Sequence, residues 1–157
     1  VGTAAQEAFL ERLTGEWSVA TETILGPGRE PIHSEGRAAA RRLGAWLVTE
    51  SEGTTPDGRP VTSLFTLGYD TAEERFRATW ISSLQAHLWE YTGELDESGT
   101  VLTLETEGPI LGDPTTSTEY RWIVEADGGD GYVVRSMILG PDGDWFEFAR
   151  AEYRRTE

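Results

Sequence analysis

Apolar residues recur along the chain at two different periods, and the change falls at Gly15. Before it, Ala5, Phe9, Leu10 and Leu13 stand at the spacing that gathers side chains on one face of a helix. The pattern predicts one short amphipathic helix over about 3–14, with Thr3 as N-cap and Gly15 just past the end. After Gly15 the period falls to two, in segments rich in Thr, Val, Tyr, Trp and Phe, residues that suit a half-buried pleated surface. Strands are expected at 17–25, 33–42, 46–53, 61–69, 75–84, 87–95, 100–107, 117–126, 131–139 and 144–154.

The connections carry turn chemistry. Pro56-Asp57-Gly58, Glu97-Ser98-Gly99, Asp127-Gly128-Gly129 and Pro141-Asp142-Gly143 favour tight reversals, so neighbouring strands should pair as hairpins. An open sheet of sequential antiparallel strands would expose two edges, whereas closure removes both and hides every second side chain. The expected fold is therefore mostly β, a single domain over 1–157 forming one closed antiparallel up-and-down barrel of about ten strands, with the helix near one mouth. No internal repeat, linker or low-complexity tract interrupts it.

Alternation then assigns faces. Phe76, Ala78, Trp80, Ser82 and Leu84 share one side of their strand; His87, Trp89, Tyr91 and Leu95 share one side of the next; Val61, Phe65, Leu67 and Tyr69 extend the same wall. Trp80, Trp89 and Tyr91 thus fall on adjacent inward positions. They either fill the barrel or line a cavity that ten strands are wide enough to leave, and volume alone separates the two. Three charged residues share inward phases: Glu50 with Trp46 and Val48, Arg121 with Ile123, and Glu147 with Trp145 and Ala149. Either they form an internal polar cluster, since a buried charge must be matched, or one or more sits at a strand end or in the opposite phase. His87, in phase with Trp89, is either a group of pKa about 6.5 placed for proton transfer or a hydrogen-bonded structural histidine. His33, after Pro31, is expected at the surface.

Composition narrows the functions. At 157 residues the chain is one domain able to bury roughly two-thirds of its unfolded surface. A formal charge of -15, from 28 acidic against 13 basic residues, repels phosphate backbones and anionic headgroups. Neither nucleic acid nor a membrane is therefore expected as a partner. No apolar run approaches the ~20 residues of a membrane span, and no basic-then-apolar leader opens the chain. The expected location is cytoplasmic, although a start at Val1 leaves room for a removed export signal. With no cysteine, disulfides, thiolate nucleophiles and zinc-thiolate sites are excluded. Phosphate loops, G-x-S-x-G elbows, His-x-x-x-His pairs and calcium-loop spacings do not occur, so neither metal nor cofactor is expected. Glu105 and Glu107 read as a solvated strand face.

Several motifs then fall together: Leu13-Thr14-Gly15-Glu16-Trp17, Thr66-Leu67-Gly68-Tyr69-Asp70, Thr79-Trp80-Ile81-Ser82-Ser83, the run from His87 to Asp96, and the terminal Tyr153-Arg154-Arg155. Over almost its whole length the chain resembles the bacterial family DUF1579. Gly15-Glu16-Trp17, after a helix and opening the first strand, also resembles the G-x-W of calycin barrels. That resemblance implies that Trp17 closes one end beneath Arg150, Arg154 or Arg155 of the last strand. It further implies a small apolar or amphipathic ligand inside the barrel.

Three functional expectations follow. The first is a small-molecule-binding barrel in which Trp80, Trp89 and Tyr91 line the cavity and His87, Glu50 or Arg121 fixes the ligand's polar end. The second is a cofactor-independent cyclase, isomerase or hydrolase of secondary metabolism, with His87 as acid or base oriented by Glu147. The third is a structural or interaction module, or a homodimer, associating through outward apolar residues such as Ile81 and Leu88.

Overall fold

The computed structural model describes residues 3–55, 57–110 and 113–156. Its single helix, α1 (Ala4–Arg12), has nine residues, too few to be stable alone in water, so packing must hold it. Phe9, Leu10 and Leu13 are buried beneath the barrel. Thr3 stands at the N-cap position but makes no side-chain cap bond. Side chains from several elements pin the helix instead. Arg12 Nη1 donates to the carbonyls of Gly99 (2.8 Å) and Ala126 (3.1 Å), and Arg42 reaches Glu7 (2.9 Å) and Glu11 (2.8 Å).

Ten strands follow: β1 (Gly15–Thr23), β2 (Ile32–Leu43), β3 (Trp46–Thr54), β4 (Pro60–Asp70), β5 (Arg75–Ser82), β6 (Gln85–Leu95), β7 (Val101–Ile110), β8 (Asp113–Glu125), β9 (Gly131–Leu139) and β10 (Trp145–Arg155). Each pairs antiparallel with the next, and β10 returns to β1 to close the barrel. All ten predicted strands are present, most with bounds moved by one or two residues and the start of β8 by four. Of the predicted turn at 56–58, Pro56 lies outside the described residues, and Gly58 turns with a φ of 88°. Among the described residues no helix is long and apolar enough to cross a membrane.

The helix end of the barrel is packed solid. Trp17, Leu47, Leu67, Phe76, Leu102 and Leu104 are fully buried there with Phe9 and Leu10. Trp17 donates from Nε1 to the Leu13 carbonyl at 3.1 Å, and its ring meets Tyr132 edge-on at 4.8 Å. Arg155 is the arginine that covers it, 4.2 Å from the ring centroid, while its guanidinium also donates to the carbonyls of Thr14 and Arg12. Gly15 turns the chain from helix to strand at a φ of 123°, and a Cβ there would stand 2.5 Å from Arg155 Nη1. The conformation therefore demands glycine at this position, and a side chain would also displace the Arg155 guanidinium.

Candidate functional site

The half of the barrel away from α1 encloses a cavity of about 660 Å³. Register determines what faces it. From Trp17 the cross-strand partners carry the inward set around the wall, through Ala38, Ser51, Ser63, Ser82 and their alternate neighbours. The lining then divides into two arcs. On β1 to β4 it presents Thr21, Thr23, Ser34, Thr49, Ser51 and Ser63. On β4 to β8 it presents Phe65, Trp80, Trp89, Tyr91, Tyr120 and Trp122.

The aromatic arc is tied together ring against ring. Phe65 meets Trp122 edge-on at 4.3 Å, Tyr91 stacks on Trp122 at 6.0 Å, and Trp89 meets Tyr120 edge-on at 5.1 Å. β6 and β7 are laddered only between Thr92–Leu95 and Leu102–Glu105. Above that stretch Trp89 closes the wall by lying on Gly108, where a Cβ would stand 2.3 Å from its ring. Burial raises the phenol pKa of Tyr91, with a smaller contribution from Tyr120, and burial alone raises that of Tyr120. Both phenols stay neutral at ordinary pH. Tyr120 donates to the Pro109 carbonyl at 2.9 Å.

Trp80, Trp89 and Tyr91, expected on the inner wall, all line the cavity. The four titratable residues expected with them are placed differently. Glu50 lies on the outer face of β3, 68% exposed and 3.9 Å from Arg41. The inward set of β3 is Leu47, Thr49 and Ser51, because Leu47 pairs with buried Leu67 and Thr49 with Phe65. Apolar residues occupy both faces of this strand, so alternation alone misassigned it. On β8 the inward residues are Tyr120, Trp122 and Val124 rather than Arg121 and Ile123. Arg121 borders the cavity, but its guanidinium is engaged by Glu105 at 3.0 Å and lies 4.1 Å over the Trp145 ring.

Irregular pairing explains the other two. Between Glu147 and Ala149 the β10 register shifts, which turns Ala149 to the cavity and leaves Glu147 to accept from Arg135 Nε at 2.6 Å. At the β5–β6 end Trp80 pairs with Trp89 and Ser82 with Gln85, so four steps on β6 span two on β5. His87 lies in that bulge. Its half-buried ring meets Trp89 edge-on at 4.5 Å, but it is not among the residues lining the cavity, and no bond joins it to Glu147. His33 is exposed, as expected, 3.8 Å from Glu22. Outside the barrel, Ile81, Leu84 and Leu88 are exposed around the β5–β6 turn.

The hydroxyl arc was missed in the sequence. Its signal was a run of Thr and Ser in the inward phase of four successive strands, legible only once the phase of β3 is known. Among the described residues, no group of three or more His, Asp or Glu side chains is placed to hold a metal ion.

Residues 3–155 match the model of a family described as protein of unknown function, DUF1579. The solved structure of Rv2717c from M. tuberculosis superposes with a TM-score of 0.66 at 15% identity, covering 98% of each chain. That likeness shows the fold. Two redesigned beta barrels superpose at TM-scores of 0.49: one at 15% identity, covering 94% of this chain and 95% of its own, and mFAP0, bound to DFHBI, at 16% identity, covering 92% and 99%. No curated protein matches the sequence.

Proposed function

The chain belongs to the DUF1579 family, and from its geometry we propose that it is a small-molecule-binding barrel. The observation that carries this reading is the cavity of about 660 Å³ in a barrel whose other half is solidly packed. Sites for small ligands typically run to roughly 300–1,000 Å³, with mostly apolar walls and a few polar groups that orient the ligand. Here Trp80, Trp89, Tyr91 and Trp122 supply the apolar wall, and the hydroxyls of β1 to β4 supply the polar one.

A catalytic reading has less support. Glu147, proposed to orient His87, is held by Arg135 on the outer face, and His87 stands outside the lining. Native mass spectrometry of protein purified from its own source tests the binding reading. The expected spectrum shows a bound small molecule at near-unit stoichiometry that is released on denaturation. A bare chain mass in every preparation, with no stabilising hit in a thermal-shift screen of small aromatic compounds, overturns it.

A further inference from the structure

The cavity wall carries two features that ring packing and strand pairing do not use. The hydroxyls of Thr21, Thr23, Ser34, Thr49, Ser51 and Ser63 make no hydrogen bond to any protein group among the described residues, although all six line the cavity. Buried hydroxyls are ordinarily bonded to backbone or neighbouring side chains, and even on the outer face the part-buried Thr66 is bonded to Thr79 (2.5 Å). Trp80 is the second feature. Phe65, Trp89, Tyr91, Tyr120 and Trp122 are each engaged ring against ring with another aromatic, whereas Trp80, although paired across the sheet with Phe65 and Trp89, makes no such ring contact among the described residues. In the closed ring of ten strands β5 stands opposite β10, which presents Phe148, Tyr153 and the small Ala149 and Ala151 to the cavity.

Charge sets a third constraint. The ionic residues that border the cavity belong to outward phases and have their own partners or solvent. Arg37 and Glu52 pair at 2.5 Å while both remain largely exposed, Glu35 is exposed, and Arg121 is held by Glu105. Among the described residues no carboxylate or guanidinium is turned inward to meet a charged ligand, and an ion moved from water into such a wall loses hydration without a counter-charge.

We infer that the ligand is an uncharged, planar aromatic molecule with hydroxyl or carbonyl groups along one edge, its ring stacked on Trp80 and its polar edge turned to the hydroxyls of β1 to β4. This rests on the reading above that the cavity holds a ligand. The Tyr91 phenol, which also makes no hydrogen bond among the described residues, stands across the barrel from β1 and adds a neutral donor on the aromatic side.

Fluorescence titration of the full chain at pH 7 with four probes tests the inference: pyrene, 1-hydroxypyrene, 1-pyrenecarboxylate and 1-pyrenemethylammonium. Hydroxypyrene is expected to bind at least about tenfold more tightly than either ion, the cost of an uncompensated buried charge. The double variant Thr21→Val with Ser51→Ala should weaken hydroxypyrene by about fivefold, the worth of a net hydrogen bond, and leave pyrene unchanged. Trp80→Leu should weaken both, with circular dichroism melts confirming that each variant folds. Binding of pyrene with no such preference for hydroxypyrene, or hydroxypyrene affinity unaltered in the double variant, overturns the inference and leaves the binding reading standing. Binding of none of the four overturns both.

Discussion

The two halves of this barrel are built from the same strands with the same alternation, yet one is filled and the other is not. Toward α1 the inward positions carry Trp17, Leu47, Leu67, Phe76, Leu102 and Leu104, and a helix covers the end with Phe9, Leu10 and Leu13. Further along the same strands the inward positions shrink on one side to Thr21, Ser34, Ser51 and Ser63, while the rings opposite stay large. Ten strands set a circumference too wide for small side chains to close. A strand whose inward residues change from large to small along its length therefore builds a floor and a chamber in one element. The lesson is that facing and filling are separate properties, the first set by period and the second by volume.

The sharpest way to break the contrast is to open the filled half. Trp17→Ala removes a fully packed indole, its bond to Leu13 and its stack beneath Arg155. It should destabilise by roughly 3–5 kcal/mol in urea melts, the range for deleting a large core aromatic. A loss below about 1 kcal/mol would mean that this end is not the packed floor.

A paired test uses one strand, β2, where Ala38 faces Trp17 and Ser34, four residues away, faces the cavity. Leucine adds similar bulk at either site. Ala38→Leu should cost about 1–3 kcal/mol through overpacking. Ser34→Leu should be neutral or gain up to about 1 kcal/mol by filling space, as cavity-filling changes do. Equal losses at the two positions would erase the distinction between floor and chamber.

High pH probes the same two regions. Burial pushes the Tyr153 phenol up to about 12 and raises Tyr132 well above its ordinary range, and the two rings, stacked at 4.3 Å, stand where the floor meets the cavity. The unfolded chain releases these protons near pH 10, while the folded protein keeps them. Stability is thus complete below about pH 10 and falls as pH rises toward the folded-state values, by at most ~1.4 kcal/mol per pH unit for each group. Urea melts between pH 8 and 11 should show this decline, and Tyr132→Phe should flatten it more than Tyr120→Phe, whose ring is less deeply placed. Identical slopes in the two variants would count against the difference in burial.

Much of this architecture was legible in the sequence, for identifiable reasons. The helix, the ten strands and the inward placement of Trp80, Trp89 and Tyr91 follow from period and turn residues, which are local properties. Trp17 under a terminal arginine was anticipated too, though only contacts distinguish Arg155 from Arg150 and Arg154. What failed was phase where alternation is ambiguous or interrupted. β3 has apolar residues on both faces, and Glu147 and His87 sit beside irregular pairings that no pattern in their own segment announces. The hydroxyl arc was hidden because it is a property of four strands in register.

The smallest effect bears on that misread strand. Glu50 was expected inside with Trp46 and Val48, whereas the register of β3 with β4 turns it outward, largely exposed and 3.9 Å from an equally exposed Arg41. An exposed ion pair contributes little, because water screens both charges and ordering two long side chains costs entropy. Glu50→Gln should therefore change stability by less than about 0.5 kcal/mol and leave ligand affinity unaltered. The same substitution inside the chamber would remove a buried charge and disturb both measurements together. A stability change above about 2 kcal/mol, or lost probe binding with the fold intact, would place Glu50 on the inner wall, reverse the phase of β3, and with it move Thr49 and Ser51 out of the hydroxyl arc.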